Sequence, residues 1–372
     1  MNVLSVFDGM SCGQIALIEL GFKIDKYYAA EIDKHAITQT QHNFPNTIQL
    51  GSVTDVKAKD LEKIDLFIGG SPCQGFSFAG KQLNFEDPRS ALFFEYVRLW
   101  KEIKAINPNA VFLLENVNMK KEYLRVISEY LGVFPVRINS SLVSAQNRDR
   151  WYWTNIRTKE TGLFSELWSD IPEPSDRGIL LKDILQCNVD ERYYLNKTTS
   201  DFSFTENYLQ LHQGFDSDNR FYYEDSKHAA CLTKGEAKTG VLCVAMRGRN
   251  PDNPSDRRTG SSTEQRLEPK TDGKTNCLTS VAKDNLLTDG YKLRRLTPIE
   301  CARLQTIPEW YDWIVSDTQI YRMLGNGWTV EVIKHIFSFL NGFEKTNVRG
   351  QKINYGQIIT NVESENECST CG

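Results

Sequence analysis

Residues 64–77 read Ile64-Asp65-Leu66-Phe67-Ile68-Gly69-Gly70-Ser71-Pro72-Cys73-Gln74-Gly75-Phe76-Ser77, an apolar run followed directly by a glycine-flanked loop. The apolar run predicts a buried strand, and the small residues before Cys73 let the backbone approach a ligand closely. Pro72 restricts Ser71 to extended geometry and stiffens the loop. The pattern therefore predicts that Cys73 stands at the end of a strand. A loop cysteine taken alone is more often an inert small apolar residue, so the remaining motifs decide its role.

The chain opens with a second strand, loop and helix signal. Residues 3–7 are mostly apolar, residues 8–13 form a glycine turn, and apolar residues then recur at helical spacing up to Leu20. Such a turn presents backbone N–H groups to a polar ligand, although tight turns are about as common in α/β proteins without one. About twenty residues later a second strand signal ends in Glu31, a spacing that suits a carboxylate accepting from ribose hydroxyls.

Further strand signals alternate with helical ones. Short strands are predicted over 47–50 and 65–69, a core helix over 92–103, and a buried strand over 111–114 that ends in Glu115. This alternation predicts an α/β fold with a doubly wound parallel sheet, in which ligands bind at the carboxyl ends of the strands. Cys73 and Glu115 both follow such strands, so the sequence places a thiol and a carboxylate at one edge of the sheet.

Arginines mark the next two regions. Arg148 and Arg150 precede an aromatic strand and are expected on one face of it, where partial burial against a specific partner is favoured over a surface position. From residue 158 the chain becomes polar and loop-rich with short β-type runs, which predicts a smaller, mostly β domain over 158–292. Guanidinium groups match phosphates and base edges, so its candidate phosphate and base-edge contacts, which could equally be solvated loop residues, are Arg247, Arg249, Arg257 and Arg258.

Regular structure resumes near the end of the chain. Thr297, Pro298 and Glu300 form a capping-box pattern that predicts a helix start. Residues 293–342 are expected to return to the first domain, which spans 1–157, and residues 343–372 are expected to be a flexible tail.

Bulk properties narrow the class of protein. The 372 residues predict two domains, and a net charge of −4 argues against a protein that coats nucleic acid indiscriminately. The nine cysteines lack regular spacing and are expected to be reduced thiols. No run of about 20 apolar residues and no targeting signal is recognisable, so we expect a cytoplasmic protein without membrane partners.

Taken in order, these motifs resemble those of DNA (cytosine-5)-methyltransferases across about residues 3–340. The resemblance rests on Phe7-Asp8-Gly9, Glu31, Pro72-Cys73-Gln74, Glu115-Asn116-Val117, Gln146-x-Arg148-x-Arg150, Arg295-Leu296-Thr297-Pro298-x-Glu300 and Gly325-Asn326. It implies a Rossmann-like sheet domain that binds S-adenosylmethionine and a small target recognition domain. The Phe-Asp-Gly opening and Trp328 are similar to the animal de novo branch of the family.

The resemblance also implies roles for individual residues. Cys73 would add to C6 of a flipped-out cytosine, Glu115 would act at N3, and Arg148, with Arg150 as the second candidate, would hold the base carbonyl or adjoining backbone. No metal would be required. Gln74 and Ser77 would join the four arginines on DNA. The implied cofactor contacts are Phe7, Asp8, Gly9, Met10, Ser11, Cys12, Glu31, Ile32, Ser52, Val53, Pro72, Leu92, Asn326, Gly327 and Trp328.

One position departs from the family pattern, because Gly51-Ser52-Val53 stands where an aspartate usually follows the glycine. Either Ser52 or Asp55 is then expected to accept from the adenine. The expected substrate is double-stranded DNA in a bacterial or virus-infected bacterial cell, with a restriction endonuclease of the same specificity as a partner. Two other functions stay open at this point: methylation of cytosine in transfer RNA, and DNA binding by a catalytically inactive homologue.

Overall fold

The structure is a computed structural model that describes residues 1–71, 88–162, 165–204, 241–253, 263–270, 272–279, 282–289 and 292–346. Outside the described residues lie the predicted site residues Pro72, Cys73, Gln74, Ser77, Arg257 and Arg258.

The large domain begins with the elements β1 (Asn2–Val6), α1 (Cys12–Glu19), β2 (Lys26–Ala30), α2 (Lys34–Asn43), β3 (Ile48–Gln49), β4 (Leu66–Gly69), α3 (Pro88–Ile106), β5 (Val111–Val117), α4 (Lys121–Leu131), β6 (Val136–Asn139) and β7 (Asp149–Thr154). A hairpin of β8 (Thr158–Thr161) and β9 (Glu166–Ser169) follows. Then come β10 (Tyr194–Thr198), β11 (Ser203–Phe204), β12 (Leu242–Arg249), β13 (Glu264–Pro269), β14 (Leu286–Thr288) and β15 (Lys292–Arg295). The last described helices are α5 (Pro298–Leu304), α6 (Asp317–Asn326) and α7 (Val330–Phe337).

Seven of the described strands form one large sheet in the order β3-β2-β1-β4-β5-β7-β6. The strands β1 to β5 pair in parallel, as the sequence predicts, whereas β7 is antiparallel to both β5 and β6. The prediction of a wholly parallel sheet is therefore wrong at β7. The connection between β6 and β7 explains the difference, because it is shorter than the dozen or so residues that a parallel crossover needs.

Apolar side chains cover both faces of the large sheet. Along β1, Val3 belongs to one buried cluster and Leu4 and Val6 to another, so neighbouring residues feed opposite faces. Helices α1 and α7 supply the first cluster and α3 the second. Burial on both faces explains why these strands appear as continuous apolar runs. The polar strand ends are left at one edge, where the site lies.

A second sheet of six described strands has the order β10-β15-β14-β12-β13-β11. Its small core contains Val244, Leu267, Leu286 and Leu293. The α/β class with a separate, mostly antiparallel β domain is thus confirmed. From β15 the chain enters α5, where Thr297 and Glu300 form the predicted capping box.

Residues 344–346 border the large domain. The Thr346 N–H donates to the carbonyl of Gly21 at 2.7 Å, and Lys23 N–H donates to the carbonyl of Glu344 at 3.0 Å. This part of the expected tail is hydrogen-bonded to the large domain. Among the helices of the described ranges, none combines the length and apolarity that a membrane span requires.

Candidate active site

The carboxyl ends of β4 and β5 lie side by side and are joined by a side chain. Asn116 donates through Nδ2 to the Ser71 hydroxyl at 3.2 Å. Glu115 precedes Asn116 and is only 9% exposed. Ser71 is the last described residue before the segment that contains Cys73, and the Asn116 bond holds Ser71 beside β5.

Arg150 is the cation that meets this carboxylate. Its Nε lies 2.9 Å from Glu115 Oε1, with both side chains largely buried, although the Nε–H is not directed into a hydrogen bond. Burial alone would lower the pKa of Arg150, but the Glu115 charge beside it holds that pKa above its usual value. The pair places a largely buried carboxylate and a cation together near the end of β5.

Arg148 has a different environment, although it is two residues from Arg150 and 3% exposed. Its guanidinium donates to the carbonyl of Gly327 at 2.8 Å, that of Leu278 at 3.1 Å and that of Gly325 at 3.3 Å. The prediction that both arginines share one function is not supported by these contacts. Arg148 ties together backbone segments, whereas Arg150 faces the carboxylate.

A buried amide pair reinforces the same junction, and sequence reasoning did not assign it a role. Gln146 Nε2 donates to Gln305 Oε1 at 2.9 Å, and Gln305 Nε2 donates to the carbonyls of Leu324 and Gly327. Thr329 completes the network by donating to Gln305 Oε1 at 2.8 Å. Gln146 stands inside the quoted Gln146-x-Arg148-x-Arg150 motif, which was the available signal that it matters.

The loop between β1 and α1 contains unusual backbone geometry. Phe7, Gly9 and Ser11 all have positive φ, at 56°, 57° and 62°. Such values are costly for residues other than glycine and are found mainly at functional sites. Ser11 provides no side-chain cap for α1, so the first N–H groups of this helix are not capped from within the loop.

Glu31 is held rigidly at the carboxyl end of β2. One carboxylate oxygen accepts from the N–H of Ile32 at 2.7 Å and of Asp33 at 2.8 Å, and the other accepts from Gly9 N–H at 2.8 Å. A carboxylate has about four acceptor positions, so further donors such as a ribose diol can still bind. These contacts preorient the group.

Asp8 lies in the same loop with its carboxylate accepting from the hydroxyls of Tyr27 and Ser11. Burial raises the pKa of Asp8 to about 6, and the nearby Glu31 charge adds to the rise, while the hydroxyl donors oppose it. A bound cation would favour its ionised form.

Trp328 stands between α1 and β4, where two glycines make room for it. A Cβ atom on Gly70 would lie 3.0 Å from Trp328 Nε1 and 3.1 Å from Glu115 Oε2. One on Gly13 would lie 3.5 Å from the same indole and 2.3 Å from Ile68. The absence of side chains at these positions lets the indole approach both Glu115 and the start of α1.

The other predicted cofactor residues differ in their exposure to solvent. Ile32 is 74% exposed, an unusual position for a large apolar side chain. Phe7 and Leu92 pack partly buried against the sheet, while Met10, Cys12 and Val53 are buried, so only their backbone could touch a ligand. Burial also raises the pKa of Cys12 to about 12.

The two candidates for the adenine contact, Ser52 and Asp55, lie in one turn. The Ser52 hydroxyl is hydrogen-bonded to the Thr54 hydroxyl at 2.7 Å, and the Thr54 hydroxyl also donates to the Asp55 carboxylate.

Two predicted DNA contacts in the smaller sheet already have an acidic partner. Arg247 Nη1 lies 3.1 Å from Glu268 Oε2, and Arg249 pairs with the other oxygen of the same carboxylate. Arg249 is also only 12% exposed at its side chain. Within the described ranges, no cluster of three or more His, Cys, Asp or Glu side chains could hold a metal ion.

Comparisons with known proteins identify the family to which the chain is similar. The family described as C-5 cytosine-specific DNA methylase matches residues 1–341. The orphan methyltransferase M.SPRI of Bacillus phage SPR is 29% identical over 91% of this chain and 97% of its own. The Type II methyltransferase M.HpaII of Haemophilus parainfluenzae is 30% identical over 89% of this chain and 86% of its own. A solved DNMT2 mutant of Spodoptera frugiperda, 18% identical, superposes with a TM-score of 0.56 over 91% of this chain and 99% of its own, which shows the shared fold.

Proposed function

The chain belongs to the C-5 cytosine-specific DNA methylase family, and from this premise we propose that it methylates C5 of a flipped-out cytosine in a specific DNA sequence through a transient bond between Cys73 and C6. The observation that carries the proposal is the buried Glu115–Arg150 pair at the end of β5. It lies beside Ser71, from which the chain continues to Cys73.

The pair suits the first chemical step. Cytosine C5 is a poor nucleophile, and addition of the Cys73 thiolate at C6 makes the ring electron-rich. Glu115 would donate a hydrogen bond or a proton to ring N3 as negative charge develops there. A base then removes the C5 proton after methylation, and the bond between Cys73 and C6 breaks as the double bond re-forms.

Arg150 is our choice as the residue that faces the base. It is charged, largely buried and next to Glu115, so it can hold the carboxylate and present N–H groups to the base carbonyl. Arg148 is proposed to act indirectly, since its donors already bind backbone carbonyls. The resemblance gave Arg148 as the first candidate and Arg150 as the second, and the proposal reverses their order.

S-adenosylmethionine would supply the electrophilic methyl group when bound. The residues present fit such a molecule, because the exposed Ile32 offers an apolar surface for an adenine and the oriented Glu31 offers acceptors for a ribose. Phe7 would stack near the adenine, Ser52 or Asp55 would accept from it, and Asp8 would face the cationic amino-acid end. Residues 326–328 would close the site.

Cys73 needs only a short reach to meet a base held at Glu115. It is two residues from Ser71, and an extended chain advances by about 3.5 Å per residue. The smaller domain, 158–292, is proposed to read the duplex and stabilise the flipped state. We also propose a restriction endonuclease of matching specificity as a partner, in the cytoplasm of a bacterial or phage-infected cell, since the relatives include Type II and orphan methyltransferases.

The proposal is tested with Cys73→Ala. Methyl transfer from labelled S-adenosylmethionine to duplex DNA should be abolished, while cofactor binding measured by calorimetry is retained. Cys187→Ala is the matched control, because this thiol is exposed and free. DNA containing 5-fluorocytosine should trap a covalent complex with the unaltered chain only. Unchanged turnover in Cys73→Ala would refute the nucleophile, and methyl incorporation confined to transfer RNA would refute the substrate.

A further inference from the structure

Cys277 lies in the smaller domain by sequence but touches both arginines of the active site. Its Sγ is 3.2 Å from Arg148 Nη1 and 3.6 Å from Arg150 Nη2. Both distances are within the range for a guanidinium N–H donating to sulfur. The thiol itself donates to the Leu278 carbonyl at 3.4 Å, which orients the sulfur lone pairs toward the guanidiniums.

The segment that carries Cys277 is firmly attached to the large domain. Thr275 forms a short parallel bridge there, with its N–H donating to the carbonyl of Ala145 at 2.7 Å and its carbonyl accepting from Asn147 N–H at 3.0 Å. Leu278 N–H donates to Gln146 Oε1 at 3.1 Å. The backbone on both sides of Cys277 is thus bonded to the strand entry that carries Arg148 and Arg150.

Lys274 strengthens this attachment from the other side. Its ammonium donates to the carbonyls of Ser141, Ser144 and Ile179 at 2.6, 3.2 and 2.9 Å. A charged donor that satisfies three carbonyls makes a strong local anchor. Cys277 therefore cannot move far from the arginines unless several hydrogen bonds break together.

The sulfur answers an electrostatic need at this position. Two positive guanidiniums approach one thiol, while Glu115 pairs with Arg150 alone among the described residues. The described contacts of Arg150 leave Nη1 on the Asp149 carbonyl and Nη2 on the Cys277 sulfur. Without the sulfur, Nη2 would have no acceptor within the described parts of the chain, and the side chain would be free to turn away from Glu115.

We propose that Cys277 is a positioning residue that holds Arg148 and Arg150 in place and so connects the target recognition domain to the base pocket. The inference rests on the proposed function, in which Arg150 and Glu115 face the base. It gives this thiol a role separate from that of Cys73, since it forms no bond to the substrate.

The test compares Cys277→Ala with Cys277→Ser, which keeps an acceptor of smaller size. We expect kcat to fall about tenfold in the alanine variant, because a small displacement of an active-site group has effects of this order or larger. The KM for S-adenosylmethionine should not change, and Cys277→Ser should recover most of the rate. Cys243→Ala is the control, because that thiol is buried in the same domain and contacts Asn285 instead.

Each outcome separates the two proposals. Equal losses in the alanine and serine variants, or a loss matched by Cys243→Ala or by a lowered melting temperature, would overturn the role of Cys277. Full activity in Cys277→Ala would overturn it as well. If the unaltered chain transfers no methyl group to DNA, the proposed function fails instead, whatever the state of Cys277.

Discussion

Two arginines two residues apart lie beside a glutamate at the large sheet and again in the six-stranded sheet, and the two sets are arranged differently. In the large sheet Arg150 pairs with Glu115, while Arg148 donates to backbone carbonyls and to a sulfur. In the smaller sheet Arg247 and Arg249 both pair with Glu268. The same spacing thus gives two different arrangements. Arg148 and Arg150 have separate partners and are called the divided pair, whereas Arg247 and Arg249 share one carboxylate.

The surroundings explain the difference. Arg148 enters the junction between two domains, where loop ends leave carbonyls without partners, and a buried guanidinium can satisfy several of them. Arg247 and Arg249 lie on one strand face, and on the same face of the adjacent strand Glu268 stands opposite Ala245, within reach of both guanidiniums. A divided pair keeps one carboxylate and one cation available for chemistry. A shared carboxylate instead neutralises charge that DNA phosphates would otherwise attract.

The largest effect is expected from Glu115→Gln. The amide cannot supply a proton and leaves Arg150 buried without an ionised partner, so the single-turnover methylation rate should fall by about 100-fold or more. Rapid-quench measurement with saturating DNA and S-adenosylmethionine checks this. A change confined to DNA affinity, with the chemical step intact, would contradict the role given to the divided pair.

A smaller effect should separate the two arginines of the large sheet. Arg150→Lys should lower kcat about tenfold, because a lysine cannot both face Glu115 and present a planar donor set. Arg148→Lys should mainly lower the free energy of unfolding, by about 2 kcal/mol, since one ammonium cannot reach all the carbonyls that the guanidinium joins. Kinetics and urea unfolding of both variants test the division. Identical behaviour of the two would show that the pair works as one unit.

The smallest effect is expected in the smaller sheet, from Glu268→Gln. Removal of this carboxylate releases Arg249 and leaves Arg247 with Asp284 as its partner, so affinity for non-specific duplex DNA at low salt should rise about threefold, and the slope of log affinity against log salt should steepen by about one. Binding titrations at several salt concentrations measure both. Glu264→Gln on the same strand serves as the control, and equal changes in both variants would indicate a general charge effect instead.

Much of this architecture could be predicted from local patterns. The strand end at Glu31 and the capping box at Thr297 follow from short stretches of sequence, and the structure places both as predicted, whereas β5 continues past Glu115 to Val117. Apolar runs, turns and caps report what happens within a few residues. They identify the edge of the sheet at which a site can form.

Contacts between distant segments could not be predicted in this way. Arg148 meets Cys277 across 129 residues, and no periodicity near either residue indicates it. The pairing of Arg247 with Glu268 depends on the register of β12 against β13. The sequence between these strands does not predict that register. The antiparallel direction of β7 likewise depends on the length of the connection between β6 and β7. The composition of β7 does not indicate it.

The bond between Gln146 and Gln305 closes the chain on itself before and after the whole recognition domain. Loop-closure entropy grows only slowly with length, by about 0.6 kcal/mol for each doubling, so the excursion between the two amides can lengthen or shorten at small thermodynamic cost. A domain whose two ends are held together by a hydrogen bond can be replaced by a domain of different length. Under the proposed function, such an exchange would change the DNA sequence that is read and leave the large sheet unaltered.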